Sequence, residues 1–233
     1  MKKLIAIVLS LVLLLMTATS LAAGKLSTEK ENFYALNAYS DYAYAFAKVK
    51  NVGNKPIKIN AGILEVFDAD GENITSNDYL YSYAENLEPD EYTYVYINAK
   101  LEDGQLEKVD DYLLTITGKS DSDKSTKRLT VQDTSFQRDV QVGKYSKNNY
   151  AYFTVVNDTD ETIWDIHVVY ALLDDDDNIL FVEGDYIGND TGLTAGSSLQ
   201  FRMDVSDKWM EYYDSKNIVP SKIDVIAYVD VEN

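Results

Sequence analysis

The stretch that decides the fold is Asp41-Tyr42-Ala43-Tyr44-Ala45-Phe46-Ala47-Lys48-Val49-Lys50-Asn51. Large and small residues alternate through it with a period of two. That is the spacing of a pleated strand, and no helical face of period 3.6 accommodates it. Moved forward by 106 residues, the same signature returns. Tyr44-Ala45-Phe46 meets Tyr150-Ala151-Tyr152, Val49 meets Val155, and Asn51 meets Asn157. Just upstream, Tyr39-Ser40 meets Tyr145-Ser146, and downstream Ile57 meets Ile163, Val66 meets Leu172, Asp68 meets Asp174 and Leu87 meets Leu193. One register held this long identifies a duplication. We place the copies at residues 30–133 and 137–233.

Other alternating runs surround the first. Ile57 to Phe67, Tyr92-Thr93-Tyr94-Val95-Tyr96 and Leu114-Thr115-Ile116-Thr117 are rich in β-branched and aromatic side chains. Turn chemistry separates them: Asn51-Val52-Gly53-Asn54-Lys55-Pro56, Asp68-Ala69-Asp70-Gly71 and Glu88-Pro89-Asp90-Glu91. Short strands at about ten-residue spacing predict an all-β chain of two tandem β-sandwich modules. One short helix is expected from Asp207 to Tyr213, capped by Ser206, with a weaker counterpart near Leu101–Val109. Lys119–Lys127 reads as a polar loop, and Arg128–Gln132 fits the end of the first module or the start of the second.

Three segments carry a family resemblance. Lys48-Val49-Lys50-Asn51-Val52-Gly53, Leu64-Glu65-Val66-Phe67-Asp68 and Leu87-Glu88-Pro89-Asp90-Glu91 resemble the FxLYD modules of bacterial secreted and lipid-anchored proteins. Tyr170-Ala171-Leu172-Leu173-Asp174 and Leu193-Thr194-Ala195-Gly196-Ser197 repeat the second and third. Leu64, Leu173 and Ala195 depart from the family pattern. The resemblance implies immunoglobulin-like sandwiches and brings no catalytic residues with it.

The N-terminus reads as an address. Lys2 and Lys3 precede an apolar run from Leu4 to Met16, and Ser20-Leu21-Ala22 offers small side chains for cleavage. Residues 1–23 are therefore expected to be a signal peptide, and the protein to be secreted. With no cysteine in the chain, disulfides, thiolate chemistry and a lipid-modified N-terminal Cys are excluded. No wall anchor is expected, and no stable membrane insertion after cleavage.

The formal charge is −18, from 21 basic and 39 acidic side chains. Losing Lys2 and Lys3 leaves 19 against 39, a charge near −20. Such a field repels nucleic acid.

Candidate sites are few. His167, the single histidine, falls inside the apolar run Ile163–Leu173, where a strand's outward face suits it better than a catalytic triad. Asp174-Asp175-Asp176-Asp177-Asn178 and its partner Asp68-Ala69-Asp70-Gly71 read as hairpin turns with solvated acids. Asp68, Asp70, Asp174 and Asp176 are the ligands to expect should calcium bind weakly, the one cofactor entertained. Tyrosine accounts for 19 residues. Tyr79, Tyr81 and Tyr83 share one strand face by parity, and Tyr92, Tyr94 and Tyr96 share another. Together they suggest either a ladder that stacks on a ligand or ordinary cross-strand packing. The sequence thus points to a non-enzymatic extracellular binding or scaffolding protein whose partner is a protein or glycan. The alternative is an acidic secreted carbohydrate- or calcium-binding module.

Overall fold

The computed structural model describes residues 24–120 and 124–232; the segment read as a signal peptide lies outside them. The chain is all-β. In the first half, β1 (Leu26–Asn37), β2 (Asp41–Asn51), β7 (Tyr92–Lys100) and the two-residue β5 (Tyr81–Ser82) form one antiparallel sheet. A second sheet centres on β3 (Ile57–Phe67). It is flanked on one side by β8 (Asp111–Lys119) and on the other by β4 (Asn73–Asn77) and β6 (Asn86–Leu87). Ala43, Ala45, Ala47, Val49, Val95 and Ile97 of the first sheet pack on Ile57, Ile59, Leu64 and Val66 of the second. A 3₁₀ turn, Leu106–Lys108, stands near the place where a helical counterpart was expected.

The second half repeats the plan. The strands are β9 (Lys124–Val142), β10 (Ser146–Val156), β11 (Ile163–Leu173), β12 (Ile179–Leu193), β13 (Ser198–Val205) and β14 (Lys222–Glu232). They join in the order β12-β11-β14-β9-β10-β13. One strand serves both layers: Lys124–Leu129 pairs with β14, and Thr130–Val142 pairs with β10. Asp133 and Asp139, both at positive φ, sit where the β9–β10 register slips. Such bulges bend a strand and sharpen its twist. The core between the layers holds Leu129, Phe153, Val155, Ile166, Val168 and Phe201.

One expectation is corrected here, and one left open is decided. The polar segment Lys119–Lys127 is not simply a loop, because β8 runs to Lys119 and β9 begins at Lys124. Backbone pairing with β14 makes strand of residues whose side chains advertise solvent. Arg128–Gln132 pairs entirely within the second sandwich, and β9 passes through the boundary placed at 133–137. The expected helix is present as α1 (Asp207–Lys216), where the Ser206 hydroxyl accepts from the Lys208 N–H and Asn217 closes the helix in the left-handed conformation.

The duplication extends to single hydrogen bonds. Asn51 and Asn157 are both fully buried. Asn51 Nδ2 donates to the carbonyls of Lys55 and Leu87; Asn157 Nδ2 donates to those of Glu161 and Leu193. Each Oδ1 accepts the N–H two residues on, Gly53 in one copy and Thr159 in the other. Every partner is displaced by the same 106 positions. The left-handed turn residues correspond too, Gly71 with Asp177 and Asp90 with Gly196.

Candidate functional site

The two sandwiches do not hang as separate beads. The outer face of the β1-β2-β7 sheet carries Tyr34, Leu36, Tyr44, Phe46, Tyr92 and Tyr94, and it packs on the second half in the largest hydrophobic cluster of the described residues. The opposing side supplies Val169, Ala171, Leu180, Phe181, Val182 and Ile226 from β11, β12 and β14, with Trp209, Met210 and Tyr213 from α1. Trp209 lies 4.9 Å from Tyr44, 5.6 Å from Phe46 and 6.1 Å from Tyr34, ring centre to ring centre. The first sheet is thus buried on both faces, alanines toward its own core and aromatic rings toward the neighbour.

Hydroxyls stitch this contact at its polar points. Tyr92 and Tyr94 both donate to the Asp224 carboxylate, at 3.0 and 2.7 Å. Tyr34 donates to the Ile179 carbonyl and Tyr83 to the Glu183 carboxylate, each at 2.9 Å. Tyr228 of the second half donates to the Tyr83 carbonyl. A Cβ added to Gly184 would meet three atoms of the Tyr83 ring at 2.3 to 2.6 Å, so the bare backbone there is what lets the ring lie on β12. Burial first and the Asp224 carboxylate second raise Tyr92 to about 12, and the same causes raise Tyr94 further. Burial holds the Glu183 carboxyl above the usual carboxylate range, against the lowering effect of its bond from Tyr83.

The tyrosine ladder is therefore placed differently from a free ligand surface. Tyr83, Tyr92 and Tyr94 are occupied with the second sandwich. Tyr96 is half-buried and stacks on Tyr81 at 4.4 Å, and the exposed Tyr79 rests edge-on against Tyr81. Parity alone did not reveal the reason: a face this aromatic finds its partner within the same chain. The acidic turns are likewise accounted for internally. Asp68 Oδ1 accepts the N–H groups of Asp70 and Glu72, and Asp174 Oδ1 accepts those of Asp176 and Asn178. Asp70 and Asp176 stand exposed on those turns. Among the described residues, no three His, Cys, Asp or Glu side chains gather as a metal would require.

What remains open to solvent is the uncovered part of the β12-β11-β14 face. Register places Tyr186, His167, Tyr228 and Arg128 side by side on β12, β11, β14 and β9. Their spacing follows the strands: 4.9 Å from Tyr186 to His167, 5.0 Å from His167 to Tyr228, and 5.9 Å from Tyr228 to the Arg128 guanidinium. Tyr228 is buried beneath the first sandwich, whereas Tyr186 is 54% and nearby Trp164 53% exposed. The Tyr186 hydroxyl donates to Asp165, which raises its pKa, and His167 Nε2 lies 3.7 Å from Asp230. The β11–β12 register slips beside Trp164. Gly192, at positive φ, leaves room for the indole: a Cβ there would stand 3.3 Å from two of its ring atoms and 2.4 Å from the Thr162 methyl.

Two hollows meet at this row. One, of about 610 Å³, is lined by Trp164, Asp165, His167, Tyr186, Asp230 and Lys127 among others. The other, of about 440 Å³, continues between the sandwiches past Lys58, Tyr83, Glu85 and Asp185. Both are lined by His167, Tyr186 and Asp230. Together they form a groove with aromatic rings in its floor and carboxylates on its walls. Rings of this kind stack on flat apolar ligand faces, and the carboxylates accept hydrogen bonds from hydroxyl, amide or ammonium groups. Sequence reading placed His167 on an outward strand face but passed over Trp164 and Tyr186. The available signal was a tryptophan beside an aspartate at the start of an otherwise apolar strand.

Comparison with known proteins adds little. No family model matches the chain, and no curated protein matches it. Among solved structures, red sea bream transglutaminase is 11% identical over 91% of this chain and 31% of its own, with a TM-score of 0.23. The C-terminal globular domain of an oligosaccharyltransferase from Pyrococcus abyssi is 9% identical over 90% of this chain and 48% of its own, with a TM-score of 0.20. The chain thus spans about a third and about half of these two, and both TM-scores are too low to relate either protein's chemistry to it. No helix among the described residues is long and apolar enough to cross a membrane.

Proposed function

We propose that this is a secreted, non-enzymatic binding or scaffolding protein built from two FxLYD-type modules, and that it recognises an extracellular protein or glycan through the groove at Trp164, His167 and Tyr186. One observation carries the reading. Two large aromatic side chains lie more than half exposed beside Asp165 and Asp230, in a concavity built largely on paired strands. Exposed aromatics grouped in a hollow beside polar anchors mark recognition surfaces, whereas scattered ones need no explanation. The strands hold the rings in place, so little ordering remains to oppose binding.

The test is a binding screen of the purified protein against a glycan panel and extracellular protein extracts, with amide shifts mapped by NMR. Shifts should centre on Trp164, His167 and Tyr186, and Trp164→Ala with Tyr186→Ala should abolish binding while leaving the circular dichroism spectrum unchanged. A ligand whose shifts fall elsewhere, and which the double variant binds as tightly, refutes the assignment.

A further inference from the structure

This protein repeatedly covers its tyrosine rings with its own cations. Lys48 Nζ stands 3.8 Å from the centre of the Tyr92 ring and the Arg202 guanidinium 4.5 Å from that of Tyr150. Lys144 lies 5.1 Å from Tyr145, and Arg128 5.9 Å from Tyr228. The electron-rich face of a ring attracts such charges, more strongly where water is partly excluded. Tyr186 and Trp164 have no such cover: both are more than half exposed, and among the described residues no Lys or Arg stands over either ring. They differ from the equally bare Tyr39 and Tyr79 in lying in a hollow walled by carboxylates.

Strand register sets those carboxylates. β11 presents Asp165 and His167 on one face of the sheet, and the cross-strand partners put Tyr186 and Tyr228, with Asp230 two residues on, on that same face. Asp165 accepts from the Tyr186 hydroxyl at 2.5 Å, and Asp230 stands 3.7 Å from His167. Two carboxylates thus bracket a pair of rings whose centres are 4.9 Å apart. Asp160 and Glu161 line one hollow with them, and Asp185 lines the other. Of the lysines in these walls, Lys58 is engaged with Glu85 at 3.2 Å, which leaves Lys127 to face the acids.

Taking the groove as the recognition site, as proposed above, we infer that it receives an arginine side chain of a partner protein, the guanidinium laid over the Tyr186 ring and its N–H groups donated to the flanking carboxylates. A guanidinium is flat, sheds its hydration more readily than an ammonium and carries a fork of donors, so it stacks on a ring and bonds a carboxylate at once. A neutral, hydroxyl-rich ligand would leave the negative charge of the walls unmatched. The formal charge of −18 draws basic partners toward the molecule as a whole. The chain's own arginines are engaged within their own copy: Arg128 over Tyr228, Arg138 with Asp214 at 2.7 Å, and Arg202 over Tyr150. The arginine therefore comes from a different protein.

NMR titration of the purified protein with a capped Gly-Arg-Gly-Arg-Gly peptide tests this, beside peptides carrying citrulline or lysine in place of arginine. Physiological ionic strength screens diffuse attraction beyond about 8 Å. The arginine peptide should give saturable shifts at the Trp164 indole and at Tyr186. The citrulline peptide, of the same shape without the charge, should bind at least about tenfold more weakly, and the lysine peptide more weakly than arginine. Tyr186→Leu, and Asp165→Asn combined with Asp230→Asn, should each weaken the arginine peptide at least about tenfold with the circular dichroism spectrum unchanged, while Tyr186→Phe, which keeps the ring, stays within about threefold. Citrulline or lysine binding as tightly as arginine overturns the proposal and leaves the groove a binding site. So does a glycan that shifts Trp164 and Tyr186 when the arginine peptide does not. Arginine shifts spread over the acidic turns at Asp68 and Asp174, indifferent to Tyr186→Leu, overturn it as diffuse attraction. Silence of Trp164 and Tyr186 toward peptides, glycans and extracellular extracts alike overturns the groove as well.

Discussion

Replacing Asn157 with alanine should cost the second sandwich about 3 kcal/mol. Its Nδ2 donates at 2.8 Å to the Glu161 carbonyl and at 2.7 Å to the Leu193 carbonyl. Its Oδ1 accepts from the N–H and the hydroxyl of Thr159, at 3.1 and 2.7 Å. Alanine removes all four bonds. Each is worth about 1 kcal/mol net, and a carbonyl left buried without a donor adds to the loss. The side chain is fully buried, so water does not simply replace it. The Thr159 hydroxyl keeps its bond to Glu161, which holds the total nearer 3 than 5 kcal/mol. In a chain of this length that corresponds to a melting temperature lower by about 6 to 12 °C. Urea unfolding followed by tryptophan fluorescence measures it, since Trp164 and Trp209 both lie in this half. Asn51→Ala should cost a similar amount: three of its bonds are the same ones displaced by the repeat, and its Oδ1 accepts the fourth from the Lys25 N–H at 3.3 Å. A loss below about 1 kcal/mol in both variants would refute the argument that these amides pin the strand crossings.

Asp224→Ala leaves two tyrosine hydroxyls without an acceptor in the contact between the sandwiches and should destabilise by about 2 to 3 kcal/mol, with faster proteolysis as a second readout. Raising the pH should loosen the same contact. Folding favours protonated Tyr92 and Tyr44, both pushed up to about 12 from 10.0, chiefly by burial. Their contribution is complete below pH 10 and is lost as pH rises through 12, so tyrosinate absorbance and unfolding should climb together across that window. Titration with millimolar calcium should give no heat, because the Asp68 and Asp174 carboxylates are held by their own turns. Six or more oxygens gathered there would produce a clear isotherm instead.

How far the sequence was legible depends on the kind of signal. Repeat spacing is a local property, so Asn51 and Asn157, and the turns at Asp68 and Asp174, could be matched by counting. Strand identity followed from the alternation in Tyr42–Val49. The meaning of that alternation did not. Tyrosine against alanine, rather than apolar against polar, is the pattern of a strand buried on both faces, with small residues toward one layer and large toward another. In the structure the large residues of that pattern face the second sandwich. The start of β9 was hidden because Lys124, Lys127 and Arg128 are strand by virtue of the β14 backbone they pair with. Trp164 and Tyr186 are 22 positions apart. They meet through the β11–β12 pairing and the irregularity in it, neither of which a composition or a period records.

The tyrosine face makes one body of the two repeated sandwiches. Scanning calorimetry of the whole chain, with Gly184→Val beside it, tests that most directly. The expected result is a single cooperative transition in the native protein, split or broadened in the variant because the new side chain displaces the Tyr83 ring. Two separate transitions in the native protein, unchanged by the substitution, would mean that the sandwiches fold and move independently.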